Sequence, residues 1–258
     1  MSGKIPVMEI FGPTIQGEGM VVGRKTMFVR TGGCDYRCSW CDSRFTWDGS
    51  EKATMMTPME VWEKLVELGT VFRDNESAAR EAWLNFNHVT ISGGNPALIG
   101  EPMHELISLL MKNGISVGLE TQGSKWQLWF LLVDDLTISP KPPSSGMPTD
   151  WNNLTFIIDR LKAAAAVRGQ DHHNFSLKVV VFDDIDYNYA VEVRQRYIDV
   201  PMFLSVGNVD AYESGDISQR LLKSLEWLWN KVIEDPRMND VRVLPQLHTL
   251  VWANKRSV

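Results

Sequence analysis

Three cysteines, Cys34, Cys38 and Cys41, fall within eight residues, and the chain holds no others. Their spacing is C-x3-C-x2-C. An odd number packed this closely makes a poor disulfide framework, and a reducing compartment keeps such thiols free. Thiolates are soft ligands that suit an Fe–S cluster, zinc or Cu(I). A structural zinc site takes four ligands, yet there is no fourth cysteine, and none of the five histidines lies near the loop in sequence. Three thiolates on a cubane leave one iron without a protein ligand. The plainer alternatives are a zinc loop or three packed thiols.

Holding such a loop requires a scaffold. Apolar, β-rich runs at 26–30, 88–92, 116–120, 136–139, 176–182, 202–206 and 241–244 alternate with amphipathic stretches. Thr57-Pro58-Met59-Glu60 predicts a helix start, with Thr as N-cap, Pro at the first helical position and Glu closing a capping box. Val61, Leu65 and Leu68 then supply a buried stripe. Leu221, Leu225, Leu228 and Val232 recur at helical spacing near the end, with Trp227 and Trp229 flanking them as core or interface. Alternating strands and helices predict an α/β fold with a mainly parallel sheet. Residues 73–87 look like a polar insertion with a helical middle. The proline-rich stretch 141–150 reads as a stiff loop inside one domain spanning residues 1–258. His172-His173 reads as an exposed polar turn.

In open α/β sheets, ligands sit beyond the carboxyl ends of the strands. The unusual residues fall there. Gly32 to Asp48 follows the first run, Gly93-Gly94-Asn95-Pro96 the second, Thr121-Gln122-Gly123 the third and Pro140-Lys141-Pro142 the fourth. Gly207-Asn208 follows the sixth and Pro245-Gln246-Leu247-His248 the last.

The formal charge is −6 at neutral pH, which argues against non-specific nucleic-acid binding. No run approaches the roughly 20 apolar residues that span a bilayer, and residues 1–11 lack a signal-peptide pattern. The expected location is the cytoplasm, with no membrane and no nucleic-acid partner.

The cysteine spacing, with Trp40 just before the third cysteine, resembles the motif of the radical S-adenosylmethionine (SAM) superfamily. Ser92-Gly93-Gly94-Asn95-Pro96 resembles that superfamily's Gly-Gly-Glu-Pro segment, with Asn95 in place of the usual Glu. The flanks narrow the likeness. Glu9-Ile10-Phe11-Gly12-Pro13-Thr14-Ile15-Gln16-Gly17-Glu18-Gly19, Phe28-Val29-Arg30-Thr31-Gly32-Gly33-Cys34, Cys41-Asp42-Ser43 and Leu244-Pro245-Gln246-Leu247-His248 resemble the 7-carboxy-7-deazaguanine synthase family of queuosine biosynthesis. Such an enzyme is a lyase that converts 6-carboxy-5,6,7,8-tetrahydropterin to 7-carboxy-7-deazaguanine with loss of ammonia, and it regenerates SAM.

The resemblance implies a partial, compressed radical SAM (β/α) barrel, a homodimer, and a flavodoxin-like or ferredoxin-like electron donor. It implies a 4Fe–4S cluster on Cys34, Cys38 and Cys41, and Mg²⁺ on Ser43. SAM contacts are implied at Ser39, Trp40, Cys41, Asp42, Gly94, Ser139, Pro140 and Lys141. Substrate contacts are implied at Ile15, Gln16, Gly17, Glu18, Arg30, Ser92, Ser205, Val206, Gly207, Asn208, Pro245 and Gln246. Arg30 is the expected grip on the substrate carboxylate, because a guanidinium binds carboxylates bidentately. Glu18 is the expected acceptor for the guanidine-like edge of the pterin. Lys141 is expected to pair with an anionic group. The rival readings are another radical SAM enzyme, such as a glycyl-radical activase, and a non-enzymatic zinc or Fe–S binding module.

Overall fold

The computed structural model describes residues 3–74, 80–167 and 174–258. The first third of the chain forms β1 (Ile5–Ile15), β2 (Lys25–Thr31), β3 (Thr54–Met56), α1 (Pro58–Gly69), β4 (Thr70–Asp74), β5 (Arg80–Leu84) and β6 (His88–Gly93). The middle adds α2 (Glu101–Lys112), β7 (Ser116–Thr121), β8 (Asp135–Ile138), α3 (Trp151–Val167) and β9 (Phe175–Val181). The last part adds α4 (Asp184–Arg196), β10 (Met202–Val206), α5 (Ser218–Glu234), β11 (Val241–Leu244) and α6 (Leu247–Trp252).

Nine of these strands make one sheet, in the order β11-β10-β9-β8-β7-β6-β2-β1-β3. From β2 to β11 every neighbouring pair is parallel. These are the seven runs expected from the sequence, each within a residue or so of its predicted bounds. Parallel strands need crossovers, and the helices between them cover the sheet. α2 buries Met103, Leu106, Ile107 and Leu110 against it, and Val89, Ile91, Val117, Leu119, Leu136 and Ile138 fill the strands' side of the core.

The α1 start follows its sequence signal. Thr57 accepts from the Glu60 backbone, Glu60 reaches back to Thr57, and Val61 and Leu65 are buried. Leu68 is exposed rather than part of the stripe. In α5, Leu221, Leu225 and Leu228 are buried and Trp227 packs against the core, while Trp229 is exposed.

One strand lies outside the runs expected from the sequence, and one expectation needs correction. The segment 5–15 is a long strand that pairs antiparallel with β2, and β3 pairs antiparallel with β1, so the sheet is mixed at this edge. Register shifts at Val7/Glu9 and Phe11/Thr14 break the alternation by which the strand is recognised. The polar stretch 73–87, expected to have a helical middle, is not helical at 80–84. Those residues form β5, which pairs with β4 in the register Thr70↔Leu84 to Asp74↔Arg80. Cross-strand pairing overrides the helix propensity of the Ala- and Glu-containing stretch. Residues 75–79 of the insertion, and the His172-His173 pair, lie outside the described residues.

Candidate active site

The carboxyl ends of the parallel strands open into one cavity of about 680 Å³. β2 delivers Arg30, β6 delivers Ser92 and Gly93, and β7 delivers Glu120 and Thr121. β9 delivers Lys178 and Val180, and the turns after β8, β10 and β11 deliver Ser139, Asn208 and Gln246. Cys34, Cys38 and Cys41 line the same cavity.

The cysteine loop is held from two sides. Gly94 N–H donates to the Thr31 carbonyl at 3.0 Å and Asn95 N–H to the Gly33 carbonyl at 2.8 Å. The loops after β2 and β6 touch there, and a Cβ at Gly94 would stand 2.0 Å from Gly33 O. Only glycine allows that approach. On the other side the proline-rich loop 141–150 serves as a backing plate. Ser39 N–H donates to the Ser145 carbonyl at 3.0 Å, Ser39 Oγ to the Ser144 carbonyl at 2.7 Å, and Trp40 Nε1 to Ser144 Oγ at 2.9 Å. Trp40 also meets Phe182 at 5.0 Å between centroids, and Lys141 Nζ lies 5.8 Å from the Trp40 ring.

Burial raises the pKa of all three thiols, that of Cys38 to about 11. A metal reverses this by taking the thiolate outright. Donors already face two of the sulfurs. Tyr36 N–H stands 3.4 Å and Gln122 Nε2 3.7 Å from Cys34 Sγ, and Trp47 Nε1 stands 3.4 Å from Cys41 Sγ. Among the described residues no group of three His, Cys, Asp or Glu side chains surrounds a single ion. A cubane spreads its thiolates over separate iron corners, and three thiols lining one cavity fit such a cluster.

Asn95 is fully buried and does not face the cavity. Its amide nitrogen donates to Asp35 Oδ1 and Ser124 Oγ, each at 2.9 Å, and its oxygen accepts from Thr121 Oγ1 at 2.8 Å and Ala97 N at 3.2 Å. In this chain the residue ties the rim loops together.

The same cavity is also lined by a buried polar network. Glu18 accepts from Lys178 Nζ at 2.5 Å and from Gln246 Nε2 at 2.7 Å, with His248 Nε2 at 3.9 Å. Gln16 Nε2 donates to Glu120 Oε1 at 3.1 Å, and Glu120 Oε2 lies 3.8 Å from Lys178 Nζ. Burial pushes the Glu18 carboxyl up, but Lys178, His248 and the hydrogen bonds outweigh it and hold the pKa at about 2. Burial pulls Lys178 down, and Glu120 and Glu18 reverse that and raise it. Glu18 is thus one partner in an ion-pair network rather than a lone acceptor. Asn208 Oδ1 and Gln246 Oε1 are buried acceptors with no partner among the described residues, and both side chains line the cavity. Buried acceptors of this kind call for a donor.

Arg30 differs from expectation in one respect: it has a partner in the chain. Its Nε lies 3.1 Å from Glu9 Oε1, although both atoms lack hydrogen-bond geometry. The contact is an ion pair by distance only. Arg30 NH1 stands 3.5 Å from Ser43 Oγ, and Ser43 Oγ donates to Asp42 Oδ1 at 3.0 Å.

Of the expected site residues, Ile15, Gln16, Gly17, Glu18, Arg30, Ser92, Asn208 and Gln246 line the cavity. So do Trp40, Asp42, Ser43, Gly94, Ser139 and Lys141 with the three cysteines. Ser39, Pro140, Ser205, Val206, Gly207 and Pro245 do not; Gly207 packs beneath Phe182, and Ser205 and Val206 are buried within β10. Sequence reasoning missed Lys178, Glu120 and Arg256. A lysine inside the otherwise apolar run of β9 was the available signal for the first.

The chain is 54% identical over 259 residues to the 7-carboxy-7-deazaguanine synthase of Bacillus cereus, covering 99% of each chain. It is 52% identical over 262 residues to that of Bacillus subtilis strain 168, covering all of both. In structure it is similar to the crystal structure of QueE from Escherichia coli, with TM-score 0.60, 20% identity and 95% of each chain covered. At that identity the likeness shows a shared fold. No family model matches the chain.

Proposed function

The chain belongs to the 7-carboxy-7-deazaguanine synthase family, and on that premise we propose that its cavity converts 6-carboxy-5,6,7,8-tetrahydropterin to 7-carboxy-7-deazaguanine with loss of ammonia. The observation that carries this reading is the pairing of two residue sets in one cavity. Three thiols line the same cavity as a cation, carboxylates and unfilled acceptors.

Cys34, Cys38 and Cys41 would hold a 4Fe–4S cluster, with SAM bound beside it. The bound cluster and SAM supply the hydrogen-abstracting radical and are not consumed. Trp40, Lys141, Ser139 and Gly94 surround SAM. Arg30 binds the substrate carboxylate through its terminal nitrogens. Asn208 and Gln246 accept from the amino-pyrimidine edge of the pterin, and the Glu18–Lys178 pair fixes Gln246. Ser43 would offer its hydroxyl oxygen to Mg²⁺, with the Asp42 carboxylate beside it. The enzyme works as a single-domain chain in a cytoplasmic homodimer, reduced by a flavodoxin-like or ferredoxin-like donor.

The test is an anaerobic assay of the reconstituted protein with SAM, reductant, Mg²⁺ and the carboxylated tetrahydropterin. The expected result is one 4Fe–4S cluster per chain and many products per SAM. Zinc binding without turnover, or 5′-deoxyadenosine accumulating one for one with product, overturns it.

A further inference from the structure

Glu9 on β1 stands opposite Arg30 on β2 in the ladder, and its carboxylate is divided between two arginines. Oε1 faces Arg30 Nε at 3.1 Å. Oε2 accepts from Arg256 Nε at 2.9 Å and Ser257 Oγ at 2.8 Å. Arg256 is itself fixed. Its NH1 and NH2 reach the two oxygens of Glu51 at 2.5 and 3.0 Å, and its guanidinium lies 3.4 Å from the centroid of Phe45. Arg30 meets the same ring at 5.7 Å.

A carboxylate beside a guanidinium favours the two-pronged fork. Glu9 does not adopt it, because the segment after α6 already holds its second oxygen. The terminal nitrogens of Arg30 are therefore not consumed by Glu9. Among the described residues they meet only Ser43 Oγ, at 3.5 Å. We propose that Arg256 is a positioning residue: by holding Glu9 Oε2 it stops Glu9 from neutralising Arg30, and so keeps Arg30 available to a carboxylate-bearing substrate. This rests on the reading of Arg30 as the substrate's carboxylate site.

The experiment measures affinity of the cluster- and SAM-loaded enzyme for 6-carboxytetrahydropterin and for its descarboxy counterpart, with KM and kcat for the former. Arg256→Ala is expected to weaken the carboxylated ligand about tenfold, the scale of one charge-assisted contact. It should raise KM, leave kcat near the parental value and leave the descarboxy ligand unaffected. Arg256→Lys keeps a charge at Oε2 and should retain most of the affinity. Glu9→Gln removes the competitor, so Arg256→Ala combined with Glu9→Gln should recover parental affinity even if the single Ala variant is poorly folded. Equal loss for both ligands in Arg256→Ala, or no recovery in the double variant, overturns the proposal while leaving Arg30 in place. A parent that does not distinguish the two ligands overturns the Arg30 reading, and this proposal with it.

Discussion

Glu18, on the loop after β1, and Lys178, in the middle of β9, are 160 positions apart in the chain and 2.5 Å apart in space. Their side chains are only 11% and 7% exposed. The pair anchors Gln246 on one side and, through Glu120, Gln16 on the other.

Removing Lys178 leaves a buried carboxylate without its cation, which costs about 3–5 kcal/mol when such a pair is broken from one side. Lys178→Met is expected to lose that much at pH 7 in denaturant unfolding, and Lys178→Met with Glu18→Gln to regain most of it. The pH dependence has a definite sign. The folded Glu18 carboxyl lies at about 2, below its ordinary 4.5, so its contribution is present above pH 4.5 and fades as the pH falls toward 2. In Lys178→Met burial is opposed only by His248 and the Gln246 hydrogen bond, so the carboxyl moves upward and acid favours its neutral form. The stability gap between parent and variant should therefore narrow on acidification. A gap that widens contradicts the pairing.

Gly94→Ala tests the contact between the rim loops. The added methyl would stand 2.0 Å from Gly33 O and 3.1 Å from Cys34 N, both backbone atoms. The cysteine loop must move to admit it. The expected outcome is near-parental far-UV circular dichroism with little iron incorporated on reconstitution. Gly100→Ala, where a Cβ meets nothing within 4 Å, should load iron like the parent.

Much of the frame was legible because it is local. Cys34, Cys38 and Cys41 declare themselves by spacing, the α1 cap by Thr57 and Glu60, and seven strands by runs of β-branched residues. The Glu18–Lys178–Glu120 network has no local pattern, since its members come from three distant segments. β1 escaped because its register shifts twice and Gly12-Pro13, joined by a cis bond, reads as a turn. β5 escaped because pairing with β4, not propensity, decides its conformation.

The metal-free thiols provide another test. Burial lifts Cys38 from its ordinary 9.0 to about 11, so at pH 8 its thiolate content falls on the order of a hundredfold. Mass-mapped alkylation of the metal-free protein should show Cys38 reacting far more slowly than an unhindered thiol. Reconstitution should then protect all three cysteines. Rapid labelling of Cys38 before reconstitution would contradict the burial described here.

Asn95 should behave as a structural tie. Asn95→Ala takes the acceptor from the Thr121 hydroxyl and the Ala97 amide and one of two donors from Asp35 Oδ1, at a cost of about 1–3 kcal/mol for buried polar groups left unpaired. Asn95→Glu puts a carboxylate beside Asp35 and should melt no higher than the Ala variant. Recovery of parental melting in Asn95→Glu would show that the pocket prefers the acid.

The site is stitched together by segments from both extremes of the sequence: Leu247 N–H bonds to the Gly17 carbonyl at 3.0 Å, and Gln246 reaches Glu18 across 228 positions. This has a consequence for synthesis on the ribosome. Domains begin to fold from the N-terminal side while the chain emerges, and contacts of such sequence separation close late. A nascent chain halted before β11 already carries the cysteine loop, Gly94 and Lys141, but has no Gln246, His248 or Arg256. Cluster loading can therefore precede closure of the polar wall, and ligand affinity becomes a report on whether β11 and α6 have docked.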